Sequence, residues 1–106
     1  MSFITVSDIA AREIAPGFLG RFIHSDKVTI GYWEVKAGSE IPFHQHVHEM
    51  MVNVLSGKLE LTIGEEVKVI EHGIVGVIPS NVPHRARAIT DCRILDVFYP
   101  VREDYK

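Results

Sequence analysis

Apolar and polar residues alternate with period two through Lys58-Leu59-Glu60-Leu61-Thr62-Ile63. Successive side chains of a strand point to opposite faces, so such a run has one face for a core and one for water. Upstream, Met51-Val52-Asn53-Val54-Leu55 leads through Ser56-Gly57 into that run, and the two are predicted to form a hairpin. Residues 27–35 are rich in β-branched and aromatic side chains and read as another strand. Further strands are expected at residues 67–70, 74–78 and 92–99, separated by Gly64-Glu65-Glu66, by Gly73 and by the breaker Pro79-Ser80-Asn81-Val82-Pro83. Gly17 and Gly20 flank a first turn after Pro16, and Ala37-Gly38-Ser39-Glu40 forms a second. The one helical candidate is residues 6–13, with Ser7 as N-cap and Pro16-Gly17 as the stop.

Strands about 8–12 residues apart with turns between them indicate a sandwich or barrel. The expected fold class is therefore all-β, in one domain over residues 1–106.

Composition narrows the function classes. The chain is 46% apolar and 24% charged, with a net charge of −3 and a pI near 6.0. Phosphate binding wants a basic face, so nucleic acid is excluded as the main partner. No apolar run approaches the roughly 20 residues of a membrane span. The N-terminal residues lack the basic and apolar blocks of a signal peptide, which leads to a cytoplasmic expectation. Cys92 is the single cysteine and reads as a small buried hydrophobe, with no intrachain disulfide. A chain of this size gains from oligomerisation. Residues 3–6 are apolar without an obvious partner, so a homodimer through the N-terminal strands and sheet edges is expected.

Six histidines are present, and four of them form a pattern. His44, His46 and His48 follow at two-residue spacing, which in a strand aims side chains at one point. His84 comes after the proline-rich breaker, at an expected strand start. His44, His46 and His84 together would make a facial cluster of neutral nitrogen ligands. Such a cluster suits one divalent transition metal: Zn, Ni, Fe, Cu or Mn. His24 and His72 read as solvated or rim histidines.

The glycines and prolines around these histidines resemble both halves of the cupin signature. The first half is Gly38, five residues, His44-Gln45-His46, three residues, Met50, six residues, Gly57; the second is Gly73, five residues, Pro79-Ser80-Asn81, two residues, His84. The resemblance implies a double-stranded β-helix, the jelly-roll barrel of RmlC-like cupins, holding one metal on His44, His46 and His84. The family has Glu or Gln where Met50 stands and glycine where Asn81 stands. Three arrangements remain open for the fourth position. Met50 ligates weakly through its thioether, or lines the site beside three histidines and water, or His48 supplies a fourth nitrogen.

The last strand carries a carboxylate where one is unusual. Asp96 shares a face with Ile94 and Phe98, and the opposite face is also largely apolar. A buried aspartate needs a partner, Arg85, Arg87 or Arg93, or else it has a functional role. The segment from Leu95 to Tyr105 resembles the C-terminal signature of KdgF-type cupins, Asp-X-Phe-X-Pro-X-Arg-X-Asp followed by an aromatic. Asn81-Val82-Pro83-His84 and the run from Tyr32 to Gly38 are also similar to that group, which linearises unsaturated uronates in pectin degradation. By motif, the resemblance implies catalytic roles for Asp96 and Phe98 and a hold by Arg102 on the carboxylate of an anionic sugar. The function expected is thus metal-dependent ring opening of a small unsaturated uronate. Two alternatives stand beside it: a non-catalytic small-molecule-binding cupin, and a dioxygenase using a three-histidine metal site.

Overall fold

The computed structural model describes residues 2–106. Ten strands are formed among them: β1 (Arg12–Ala15), β2 (Phe18–His24), β3 (Thr29–Val35), β4 (Glu40–His44), β5 (Glu49–Ser56), β6 (Leu59–Ile63), β7 (Glu66–Ile70), β8 (Val75–Ile78), β9 (His84–Ala88) and β10 (Cys92–Tyr99). They build two antiparallel sheets, one in the order β1-β2-β3-β10-β5-β8 and one in the order β4-β9-β6-β7. This is the all-β double-stranded β-helix that the signature implies.

Strand burial follows sequence alternation. In β10, Cys92, Ile94, Asp96 and Phe98 are buried, while the residues between them face outward. In β3 the buried set is Thr29, Gly31, Trp33 and Val35. These inner faces meet Leu59 and Leu61 of β6 and Ala88 of β9 across the core. Complete burial of a Leu, Ile or Phe side chain contributes about 1.5–3 kcal/mol, so this interior is what holds the sheets together. Cys92 is buried within it, as expected.

Two local expectations are corrected. The helix over residues 6–13 is only a 3-10 turn, Val6–Asp8, with Thr5 rather than Ser7 at the cap position and no side-chain cap bond. A short helix is costly to nucleate, and Arg12–Ala15 instead gains ladder hydrogen bonds by pairing with β2. Gly20 does not flank the first turn. It lies inside β2, where a Cβ would come within 2.6 Å of the Phe22 ring and 3.0 Å of Trp33. Glycine there makes room for two core aromatics.

Candidate metal centre and cavity

β4 and β9 pair so that His44 stands opposite His84. His84 opens β9 directly after the proline-rich breaker, as expected. His44 closes β4, and His46 lies beyond the strand end. Strand periodicity therefore does not aim His46; the loop does. That loop is stitched to the breaker by the Asn81 N–H donating to the His46 carbonyl at 2.8 Å and by Ser80 Oγ donating to the Val47 carbonyl at 2.6 Å. Asn81, where the cupin signature has glycine, has a φ of 62°, in the left-handed region that asparagine tolerates.

One ring nitrogen from each of His44, His46 and His84 lies within 4.8 Å of the other two. Their Nδ1 atoms sit 2.9 Å from the Pro42 carbonyl, 2.8 Å from the His48 carbonyl and 2.8 Å from the Val82 carbonyl, respectively. A carbonyl only accepts, so each Nδ1 donates and each Nε2 keeps its lone pair. Nε2 of His46 and of His84 is buried with no hydrogen-bond partner. Burial lowers the pKa of His46 to about 4, with the nearby Arg102 charge adding and the His48 carbonyl opposing. Burial lowers His84 as well. Uncharged imidazoles with fixed tautomers and converging free lone pairs fit a divalent transition metal.

The other histidines stay outside this cluster. His48 has its Nε2 3.3 Å from the Val101 carbonyl and its Nδ1 buried without a hydrogen-bond partner, and it is not among the three histidines whose nitrogens converge. His24 Nδ1 is 2.8 Å from Thr29 Oγ1, and His72 lies exposed in a turn. Met50 is buried on the inner face of β5, between Phe98 and Ile78 of the neighbouring strands. It lines the same cavity as the three histidines.

That cavity lies between the sheets and has a volume of about 60 Å³. Asp96, Phe98 and Arg102 line it together with the histidine cluster. None of the three arginines expected for Asp96 reaches it. Arg85 lies over the Phe43 ring, Arg87 pairs with Glu60 at 3.6 Å, and Arg93 points outward. Burial pushes the Asp96 carboxyl up to about 7, against weaker opposing pulls from the Trp33 indole N–H and the Arg102 charge. Asp96 Oδ1 and Trp33 Nε1 are nevertheless both without a hydrogen-bond partner. The residue across the ladder from Asp96 is Gly31, where a Cβ would come within 3.2 Å of Trp33 Nε1. The missing side chain gives the indole nitrogen its place.

Arg102 is buried, with its guanidinium 4.9 Å from the Phe98 ring centroid and 4.1 Å from that of Tyr105. Burial works against its charge, but the hydrogen bonding and charge of Asp104 together with the influence of Tyr105 outweigh it, and its pKa rises. Trp33, Asp104 and Tyr105 thus belong to the site, although residue-by-residue reading assigned them nothing. For Trp33 the available signal was its place on the buried, alternating face of β3.

A family model for the cupin domain matches residues 31–98. The chain belongs to the cupin family. This cupin is 28% identical over 92 residues to an uncharacterized protein of Streptomyces coelicolor, a match covering 86% of this chain and 88% of that one. It superposes on an RmlC-like cupin from Shewanella frigidimarina with a TM-score of 0.94 at 22% identity, covering 100% of this chain and 96% of the other. It superposes on KdgF from a Halomonas species with a TM-score of 0.93 at 24% identity, covering 100% and 99%. At these identities the two structures establish the fold of this cupin and its close structural similarity to such proteins.

Proposed function

We propose that this cupin is a metal-dependent enzyme that opens the ring of a small unsaturated uronate. The observation that carries the reading is that Asp96, Phe98 and Arg102 line the same cavity as the His44-His46-His84 cluster. His44, His46 and His84 would hold the metal, and Met50 would line the fourth side. A divalent ion bound there would polarise a substrate oxygen as a Lewis acid. Opening the cyclic hemiacetal moves the proton of the anomeric hydroxyl to the ring oxygen and breaks the bond from the anomeric carbon to that oxygen; the enol so released then gains a proton at C4 and loses its hydroxyl proton, which gives the ketone and removes the conjugated double bond. It is an isomerisation and needs no oxidant. Asp96, with a pKa near 7, is suited to take and return that proton at neutral pH. Arg102 would hold the substrate carboxylate, and Phe98 would pack against the sugar and exclude water.

The same reading places the protein in the cytoplasm as a homodimer. Phe3 is 90% exposed on its own chain, which supports a second copy as its cover. Among the described residues no helix is long and apolar enough to cross a membrane. Metal analysis combined with turnover of a 4,5-unsaturated galacturonate tests the proposal. Metal-dependent loss of the conjugated chromophore is the expected result, and metal-loaded protein without turnover would overturn it.

A further inference from the structure

Arg102 is more constrained than a ligand-binding arginine needs to be. Its Nε donates to Asp104 Oδ1 at 3.0 Å and its Nη2 to Asp104 Oδ2 at 2.8 Å. Its planar group also lies against the rings of Tyr105 and Phe98. The backbone N–H of Arg102 donates to Thr29 Oγ1 at 2.9 Å, which pins the root of the side chain. Asp104 is the outer member of the pair, with its side chain 59% exposed against 10% for Arg102. A guanidinium has two edges that can each bind a carboxylate through two N–H groups: Nε with Nη2, and Nη1 with Nη2.

We propose that Asp104 is a positioning residue: by occupying the Nε–Nη2 edge of Arg102 from the solvent side, it presents the Nη1–Nη2 edge to the cavity as a two-pronged seat for a ligand carboxylate. This rests on the uronate reading and adds to it how the carboxylate is oriented. Asp104 also neutralises the charge of Arg102, so the pair offers direction more than raw attraction. Removing Asp104 would leave an uncompensated cation that still attracts anions but no longer aligns them. Misalignment of a bound substrate lowers turnover without weakening binding. A purely structural role would not split the two constants in this way.

The test uses zinc-loaded wild type, Asp104→Ala and Asp104→Glu. In nitrogen–proton correlation spectra, wild type and Asp104→Glu should show a solvent-protected Arg102 Nε–H signal that Asp104→Ala lacks. With a 4,5-unsaturated galacturonate, Asp104→Ala should lower kcat about tenfold or more while KM stays level or falls, and Asp104→Glu should recover most of kcat. An Asp104→Ala protein with the wild-type Nε–H signal, or with unchanged kcat in an active enzyme, overturns the proposal. Wild type without turnover removes the uronate reading alone. The proposal is then decided by acetate: in wild type it should shift the Arg102 Nη signals and leave the Nε–H signal protected, and in Asp104→Ala it should reach Nε–H as well; acetate that disturbs Nε–H in wild type, or shifts no Arg102 signal there, overturns the proposal.

Discussion

His44 and His84 stand directly opposite one another in the ladder between β4 and β9, with ring centroids 4.2 Å apart. Cross-strand partners share a face, so this pairing brings together two imidazoles forty residues apart in sequence. His46 completes the set from the following loop, with its ring 5.5 Å from His44 and 4.9 Å from His84.

Each of these three is expected to be needed for metal. His44→Ala, His46→Ala and His84→Ala should each weaken binding by more than ~10-fold. His24→Ala, His48→Ala and His72→Ala should leave occupancy unchanged. Elemental analysis after dialysis checks both halves, and full metal content in the triple variant would place the site elsewhere.

Met50 lines the cavity of the three histidines and is expected to influence which ion is preferred. Its thioether is soft and neutral, so Met50→Gln or Met50→Glu should shift selectivity toward hard ions, with Mn²⁺ gaining more than Cu²⁺ and Glu acting more strongly than Gln. Without metal, either change leaves a polar group in a buried position and should cost about 1–3 kcal/mol. Competitive metal titrations and thermal unfolding with and without Mn²⁺ measure the two effects. Unchanged selectivity in both variants would mean that Met50 points away from the ion.

Stability of the metal-free protein should depend on pH in two opposing ways. Asp96 titrates near 7 when folded and near 3.8 when unfolded. Between those values the folded state keeps a proton that the unfolded chain releases, so stability falls as pH rises and the loss is complete above about 7. The loss should be on the order of a few kcal/mol. His46 titrates near 4 when folded against 6.5 unfolded, so its contribution is lost as pH falls through that window. Asp96→Asn removes the first slope and exposes the second. The variant should be more stable than wild type above about pH 7, lose stability steadily on acidification, and lack turnover. Urea unfolding across the range decides; coincident profiles for the two proteins would refute it.

Oligomerisation should be concentration-dependent and apolar in origin. Phe3 and Ile4 are 90% and 56% exposed, and Met51 and Val77 add exposed apolar surface on the outer face of the six-stranded sheet. Sedimentation should show a dimer that weakens in a Phe3→Ser, Ile4→Ser double variant. A monomer at all concentrations would contradict this.

Most of the fold was legible in local patterns. The run at 58–63 is a strand in the expected phase, and 92–99 is also a strand, although only one of its two apolar faces is fully buried, with Leu95 and Val97 half-buried on the other. β1 was missed because residues 6–13 carry a weak helical pattern whose neighbours outbid it with ladder bonds. Gly20 reads as a turn locally and becomes a strand residue only because Phe22 and Trp33 crowd the space where a side chain would be. Asp96 was legible as a carboxylate in a largely apolar strand, but its inward direction and its lack of an arginine partner were not, because they depend on which face of the strand meets the core and on where Arg85, Arg87 and Arg93 end up in three dimensions.

By itself the sequence determined the all-β class, the two faces of β6 and the spacing of the histidines, since each is written in alternation or in residues that act on their own neighbours. Tertiary structure alone decided which nitrogens converge. It takes the β4–β9 register to set His44 against His84, and hydrogen bonds from a distant loop to swing His46 in and leave His48 on the Val101 carbonyl. It also decided that Asp104 would hold Arg102 where it lines the cavity, because a salt bridge has no periodicity and forms only where folding brings the two charges together.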